Sequence, residues 1–227
     1  MKAMLLAAGR GSRMRALTDN MPKPLLPVAG RPLIEHHVLR LRAAGFTDLV
    51  VNHAYLGEQI EGYLGNGARY GVSIAYSRET QALETGGGIF RALPLLAEGG
   101  AAEPFLVIST DVWTDYPLAR LWGLRPRRGH LVMVDNPGHL ARGDFVAGSD
   151  GMLREEGEGR RLTYSGLSVL HPDLFARCSD GIFPLRPLFT QAMAEGLLSC
   201  EHYDGQWLDV GTPERLLEAE SLACIGV

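Results

Sequence analysis

Up to Asp135 the chain alternates short, branched apolar runs with longer helical patterns, and that rhythm limits the fold more than any other feature of it. The runs "AMLLAA", "DLVVNH", "VSIAYS", "PFLVIST" and "HLVMVD" are bounded by Gly, Pro, Asp or Asn, as buried parallel strands tend to be. Between them, "LIEHHVLRLRAAG" (Leu33 to Gly45) places apolar residues at helical spacing and stops on a glycine, and "GEQIEGYLGNG" and "GGIFRALPLLAEG" resemble it. This β-α-β-α order predicts a Rossmann-like, doubly wound α/β sheet.

After Asp135 the texture changes. Gly138, Gly143, Gly148, Gly151, Gly157 and Gly159 punctuate short strand-like pieces that end in the longer "RLTYSGLSVL", Arg161 to Leu170. We expect a small antiparallel lobe over one side of a mixed sheet. Helical patterns follow near Leu174 and from Leu185 to Gly196, then a short strand near Cys200 and a last helix from Pro213 to Ala223. A length of 227 residues fits a single domain spanning 1–227, whose texture divides it into 1–135 and 136–227.

Composition narrows the function by exclusion. With 46% hydrophobic and 21% charged residues the chain reads as globular, and a net charge of -4 gives no basic field for nucleic acid. No run is long enough to span a membrane, and the apolar start is too short and too quickly followed by arginines for a signal peptide. Cys178, Cys200 and Cys224 form neither a disulfide framework nor a zinc spacing, so a reducing, cytoplasmic setting is expected. His36 and His37 are adjacent, which on a helix separates them by about 100° and leaves them a structural reading.

The stretch "LAAGRGSRMRALTDNMPKPLLPVAGRPLI" follows the first strand run. A loop there in an open α/β sheet is a usual phosphate site: glycines let backbone N–H groups approach oxygens, and Arg13 offers a planar fork of donors. Met14 stands at the third position of a G-x-G-x-x-G pattern, and no Gly-Lys-Ser/Thr follows, so a dinucleotide oxidoreductase and a P-loop NTPase both lose ground. Lys23 lies between Pro22 and Pro24. Taken alone it reads as an exposed lysine in a proline turn; taken with the loop it reads as a cation held rigidly for a polyphosphate.

These residues resemble the signature of the sugar-1-phosphate nucleotidylyltransferases, and the resemblance extends over nearly the whole chain through "ETQALETGGGI", "VISTDVW", "GDF" and "WLDVGTPE". It implies transfer of a nucleotidyl group to a sugar 1-phosphate with release of pyrophosphate, and a Mg²⁺ ion held by Asp111 and Asp209. Arg13 and Lys23 are the implied catalytic cations. Ala8, Gly9, Gly11, Ser12, Arg13, Lys23, Gln81, Gly86 and Asp111 are the implied nucleotide contacts, and Asp144, Glu158, Ser165, Gly166 and Asp209 the implied sugar contacts. The family usually carries an asparagine and a small residue before the first aspartate; here Ser109 and Thr110 stand there. Asp111 also fits a cap and Asp209 a turn acid, while Glu155, Glu156 and Glu158 fit a solvated hairpin tip equally well.

Within the family, the triple glycine, the "DNPGH" element and the length are most similar to compact members that use UTP and N-acetylmuramate 1-phosphate in peptidoglycan recycling. That substrate carries a lactyl carboxylate, for which Asn136, Arg142 and above all His139 are candidate donors. Guanylyl- and thymidylyltransferases share the same loop and aspartates, and a catalytically silent sensor could share the fold. We expect a monomer or small homo-oligomer.

Overall fold

The computed structural model describes residues 1–97, 102–138 and 142–225. Its elements run β1 (Ala3–Leu6), β2 (Pro27–Val28), β3 (Arg31–Pro32), α1 (Leu33–Ala43), β4 (Asp48–His53), α2 (Gly57–Leu64), β5 (Ser73–Arg78), α3 (Glu84–Leu96) and β6 (Phe105–Ser109). Then come β7 (Val112–Thr114), β8 (Gly129–Val134), β9 (Phe145–Ala147), β10 (Leu153–Arg154), β11 (Arg160–Leu170), α4 (Arg186–Ala194), β12 (Leu198–Tyr203), β13 (Trp207–Asp209) and α5 (Pro213–Ile225).

The main sheet is mixed α/β in character, as the rhythm of the sequence predicts. Strands β5, β4, β1 and β6 lie side by side and parallel, β11 runs antiparallel between β6 and β8, and β12 closes that side parallel to β8. The period of two along each strand explains how it is filled. Ala3, Leu5, Leu49, Val51, Leu106 and Ile108 pack with Ile34, Val38 and Leu41 of α1 and Ile60 of α2, whereas Met4, Val50, Phe105 and Val107 pack with Ile89 and Ala92 of α3 and Phe189 of α4. Both faces are therefore covered by helices, and the central runs are apolar on both faces through their middles. A third, smaller core joins α5 to β2, through Val28, Leu33, Val210 and Ala219, and includes Met14.

Four expectations change. "HLVMVD" becomes β8, which has β11 and not another parallel strand as its neighbour toward the sheet centre. "RLTYSGLSVL" does not stay in a lobe: its first residues pair with β9, and Leu167 to Leu170 pair with β6 inside the main sheet. One long strand thus crosses from the small antiparallel part into the core, with a bulge between Tyr164 and Ser168 where it changes partners. The helical pattern near Leu174 is a single 3-10 turn, Pro172–Phe175, and α3 begins at Glu84, ahead of the triple glycine and not within it.

Candidate active site

A cavity of about 330 Å³ opens beyond the carboxyl ends of β1, β4 and β6, where an open parallel sheet binds ligands. Its floor comes from Leu6 to Gly9, Asn52, and Ser109 to Asp111; its walls come from Gly11 to Arg13, Lys23, Pro24, Ala82, Glu84, Thr85 and Gly211.

The glycine-rich loop is held from below. Gly11 adopts φ +67, which an L side chain disfavours. Its carbonyl accepts from Met14 N–H at 2.9 Å and from Thr18 Oγ1 at 3.1 Å. Met14 is fully buried in the small core with α5. The residue that breaks the dinucleotide pattern is therefore the loop's anchor. It leaves Arg13, its neighbour, on the cavity wall.

The Pro-Lys-Pro segment meets this loop. Lys23 opens a 3-10 turn, Lys23–Leu25, closed by Leu25 N–H to Pro22 O at 2.8 Å and Leu26 N–H to Lys23 O at 3.0 Å. Its stem runs under Gly11, where any added Cβ would stand 2.9 Å from Lys23 Cβ. Only a glycine lets the two segments touch. The buried ammonium then reaches Asp111, with Nζ 2.8 Å from Oδ2. A buried cation facing an open polar cavity is poised for an anion.

Asp111 stands just past β6, and the β7–β13 ribbon brings Asp209 beside it in the backbone: Val210 N–H donates to Asp111 O at 2.8 Å, and Asp209 pairs with Val112. Asp209 Oδ2 is held by Arg215 Nη1 at 2.8 Å. A Cβ on Gly211 would stand 3.1 Å from both Asp209 Oδ1 and Arg13 Nη2, so the free carboxylate oxygen and the guanidinium converge there. Beneath Thr110 lies His37, fully buried on α1. Burial first, and then the charge of Arg40, hold its imidazole down to about 4, against a backbone hydrogen bond at Thr110 that raises it. It is a neutral structural histidine under the loop that carries Asp111.

Of the residues singled out in the sequence, Ala8, Gly9, Gly11, Ser12, Arg13, Lys23 and Asp111 line the cavity together. Gln81, Gly86, Asp144, Glu158, Ser165, Gly166 and Asp209 are not among its lining residues. Gln81 is exposed on the loop before α3, and Gly86 is buried under the ring of Phe183. Asp144 accepts from Tyr164 N–H at 2.9 Å and faces Arg186 at 3.6 Å. Ser165 and Gly166 form the bulge of β11: Ser165 Oγ accepts from Leu167 N–H, and Gly166 takes φ +82 close to Ser109. Glu158 sits exposed between β10 and β11. Among the candidate lactyl donors, His139 lies outside the described residues. Asn136 is engaged with Arg161 O and Thr163 Oγ1, and Arg142 is paired with Glu156.

Sequence reasoning missed Asn52, Glu84 and Thr85 on the cavity wall. Asn52 has a signal in retrospect: a polar amide closing the apolar run "DLVVN" at a strand's carboxyl end.

The chain belongs to the nucleotidyl transferase family, whose model matches residues 2–129. It is a nucleotidyltransferase. It is 48% identical over 231 residues to the N-acetylmuramate alpha-1-phosphate uridylyltransferase of Neisseria meningitidis serogroup B, covering 98% of both chains. It is 36% identical to the protein of that description from Caulobacter vibrioides, covering 96% of this chain and 95% of that one. In fold it is similar to HddC from Yersinia pseudotuberculosis complexed with GMP-PN, with a TM-score of 0.78 at 19% identity over 98% and 99% of the two chains.

Proposed function

We propose that the chain transfers a uridylyl group from UTP to N-acetylmuramate α-1-phosphate, giving UDP-N-acetylmuramate and pyrophosphate in peptidoglycan recycling in the cytoplasm. The observation that carries this reading is the 48% identity over nearly the full length to the Neisseria uridylyltransferase. The cavity supports the reaction class, since it combines a glycine loop, an arginine, a buried lysine and a carboxylate on one wall.

In this reading an oxygen of the sugar phosphate attacks the α-phosphorus in line; the new P–O bond forms as the bond to the bridging oxygen of pyrophosphate breaks, and pyrophosphate leaves. No covalent enzyme intermediate is needed, so positioning and electrostatics carry catalysis. Arg13 meets the departing pyrophosphate, and Lys23 meets the oxygens of the phosphorus under attack. The base lies along Leu6 to Gly9 and the segment from Gln81 to Gly86. Asp144 and Glu158 accept sugar hydroxyls, with Ser165 and Gly166 lining that side. The division into a nucleotide half, 1–135, and a sugar and metal half, 136–227, follows from these roles.

The donor set suits Mg²⁺. Asp111 and Asp209 offer hard carboxylate oxygens, and no group of three or more His, Cys, Asp or Glu forms a closed cage among the described residues. Magnesium usually takes one or two carboxylates and completes its shell with water and substrate phosphates. Bound there, it would offset the repulsion between two polyanions and the charge developing at phosphorus. Arg215 would keep Asp209 oriented for it. The test is detection of UDP-N-acetylmuramate by mass spectrometry when purified protein is given UTP and N-acetylmuramate α-1-phosphate. Product should form, stop with EDTA, and return with excess Mg²⁺; absence of product at any Mg²⁺ concentration would sink the proposal.

A further inference from the structure

Three segments that wall the cavity are tied together by side chains that neither sugar nor metal chemistry explains. Ala7 N–H, at the end of β1, donates to Asn52 Oδ1 at 3.0 Å. Asn52 Nδ2, at the end of β4, donates to Glu79 Oε1 at 2.7 Å, and Leu83 N–H, in the loop before α3, donates to Glu79 Oε2 at 3.0 Å. Glu79 is buried, at 6% exposure, and is not among the residues lining the cavity. Both of its oxygens are taken by neutral donors. A buried carboxylate placed so is costly, and it persists where its two acceptors hold something in place.

We propose that Glu79 is a positioning residue for the nucleotide base: acting through Asn52 and Leu83, it sets the distance between the β1 end and the loop before α3. This rests on the reading of the cavity as a nucleoside triphosphate site. The chain is built around the pair. A Cβ on Gly88 would stand 2.7 Å from Glu79 Oε1 and 2.8 Å from Asn52 Nδ2, so the third glycine of "GGG" lets α3 lie against the network. The polarity of the network is fixed by its ends. Ala7 N–H and Leu83 N–H can only donate, so Asn52 and Glu79 must between them supply two acceptors outward and one matched bond inward. Asn–Glu satisfies this. Asp–Gln, with the inward bond reversed, satisfies it equally.

That symmetry provides the test. Glu79→Gln alone leaves one N–H facing another, whereas Asn52→Asp combined with Glu79→Gln restores every hydrogen bond with the same total charge. The dissociation constant of UTP, measured by calorimetry without sugar, should rise on the order of tenfold in Glu79→Gln, the loss expected from one unmatched buried polar group. In the double variant it should recover by at least half of that change on a logarithmic scale. The KM for the sugar 1-phosphate should stay within about twofold of wild type in both, because the network touches only the base side. Unchanged UTP affinity in Glu79→Gln, a double variant no tighter than the single, or an equal rise in both substrate constants would overturn the proposal. Should Glu79→Gln not fold, the double variant must fold and bind UTP, or the proposal fails. Wild-type protein that binds UTP but makes no UDP-N-acetylmuramate contradicts the proposed reaction and leaves this inference intact; wild-type protein that does not bind UTP contradicts both.

Discussion

The contact between Lys23 and Asp111, 88 residues apart in the chain, sets a cation and a carboxylate of the candidate site side by side. Asp111→Asn keeps an oxygen for Lys23 to donate to but loses the negative charge, and Asp209→Asn does the same beside Arg215. Each variant should retain its melting temperature within a few degrees yet lose turnover on the order of 10²- to 10³-fold, as expected when a carboxylate proposed to hold the cation that offsets the developing charge is removed. Steady-state kinetics at saturating Mg²⁺ checks this, and near-wild-type kcat in either variant would refute the assignment. His37 makes a different prediction, about stability. Its neutral form is favoured in the fold, with the imidazole held at about 4 against an ordinary 6.5. Above pH 6.5 neither folded nor unfolded chain binds the proton, so the residue costs nothing. As pH falls from 6.5 toward 4 the unfolded chain takes up the proton first, and stability drops by about 3 kcal/mol. Urea titrations at pH 7 and 4.5 should show a smaller drop in His37→Gln than in wild type; equal drops would mean that His37 titrates normally. Lys23 and Arg13 were legible in the sequence because prolines and glycines flank them. Glu79 was not, because a buried carboxylate leaves no pattern until the segments it bridges are side by side, and Asn52 stood out only as a polar amide closing an apolar run.

Helix α3 shows how an element's sequence can be read correctly and still misplaced. Its glycines belong to the "ETQALETGGGI" stretch that carries the family resemblance, but they lie inside the helix's first turns, where propensity alone disfavours them. Packing outweighs that cost. A Cβ on Gly86 would stand 2.6 Å from the Phe183 ring, and one on Gly87 would stand 2.2 Å from the Gly181 carbonyl. The chain near Gly181 lies so close that Gly87 N–H donates to Phe183 O at 3.0 Å, and Phe183 N–H to Leu83 O at 3.2 Å. These bonds brace the loop before α3 from outside, as Glu79 braces it from within. Gly87→Ala would force backbone apart and should destabilise the fold by about 2–3 kcal/mol, within the range for overpacked sites. Denaturant unfolding would measure it, and a loss under about 0.5 kcal/mol would show that the 181–183 segment yields freely. Sequence periodicity located α1, α2 and the last helix to within a few residues, since each carries an apolar stripe at helical spacing that is buried. The start of α3 escaped it because a positive φ at Glu84 and a row of glycines obey tertiary contact and not local preference.

At the scale of the molecule, the alternation of strands and helices made the covered parallel core legible, with its two apolar faces. It could not reveal that β11 inserts antiparallel between β6 and β8, because an apolar run reads the same in either direction. The insertion has a consequence for function. The β11 bulge brings Gly166 against Ser109 at the edge of the cavity, and the β7–β13 ribbon brings Asp209 beside Asp111, so residues after Asp135 reach the cavity's border through more than one element. The central claim is that this joined site couples UTP to a sugar 1-phosphate bearing a lactyl carboxylate. A site that pairs a carboxylate should reject analogues that leave its donors unpaired more strongly than an apolar pocket could. The most direct measurement is pyrophosphate release by wild-type protein across the four ribonucleoside triphosphates and dTTP, each with N-acetylmuramate, N-acetylglucosamine, glucose and mannose 1-phosphates. UTP with N-acetylmuramate α-1-phosphate should give the highest kcat/KM, with N-acetylglucosamine 1-phosphate turned over much more slowly. A higher kcat/KM for GTP with mannose 1-phosphate, or for dTTP with glucose 1-phosphate, would contradict it.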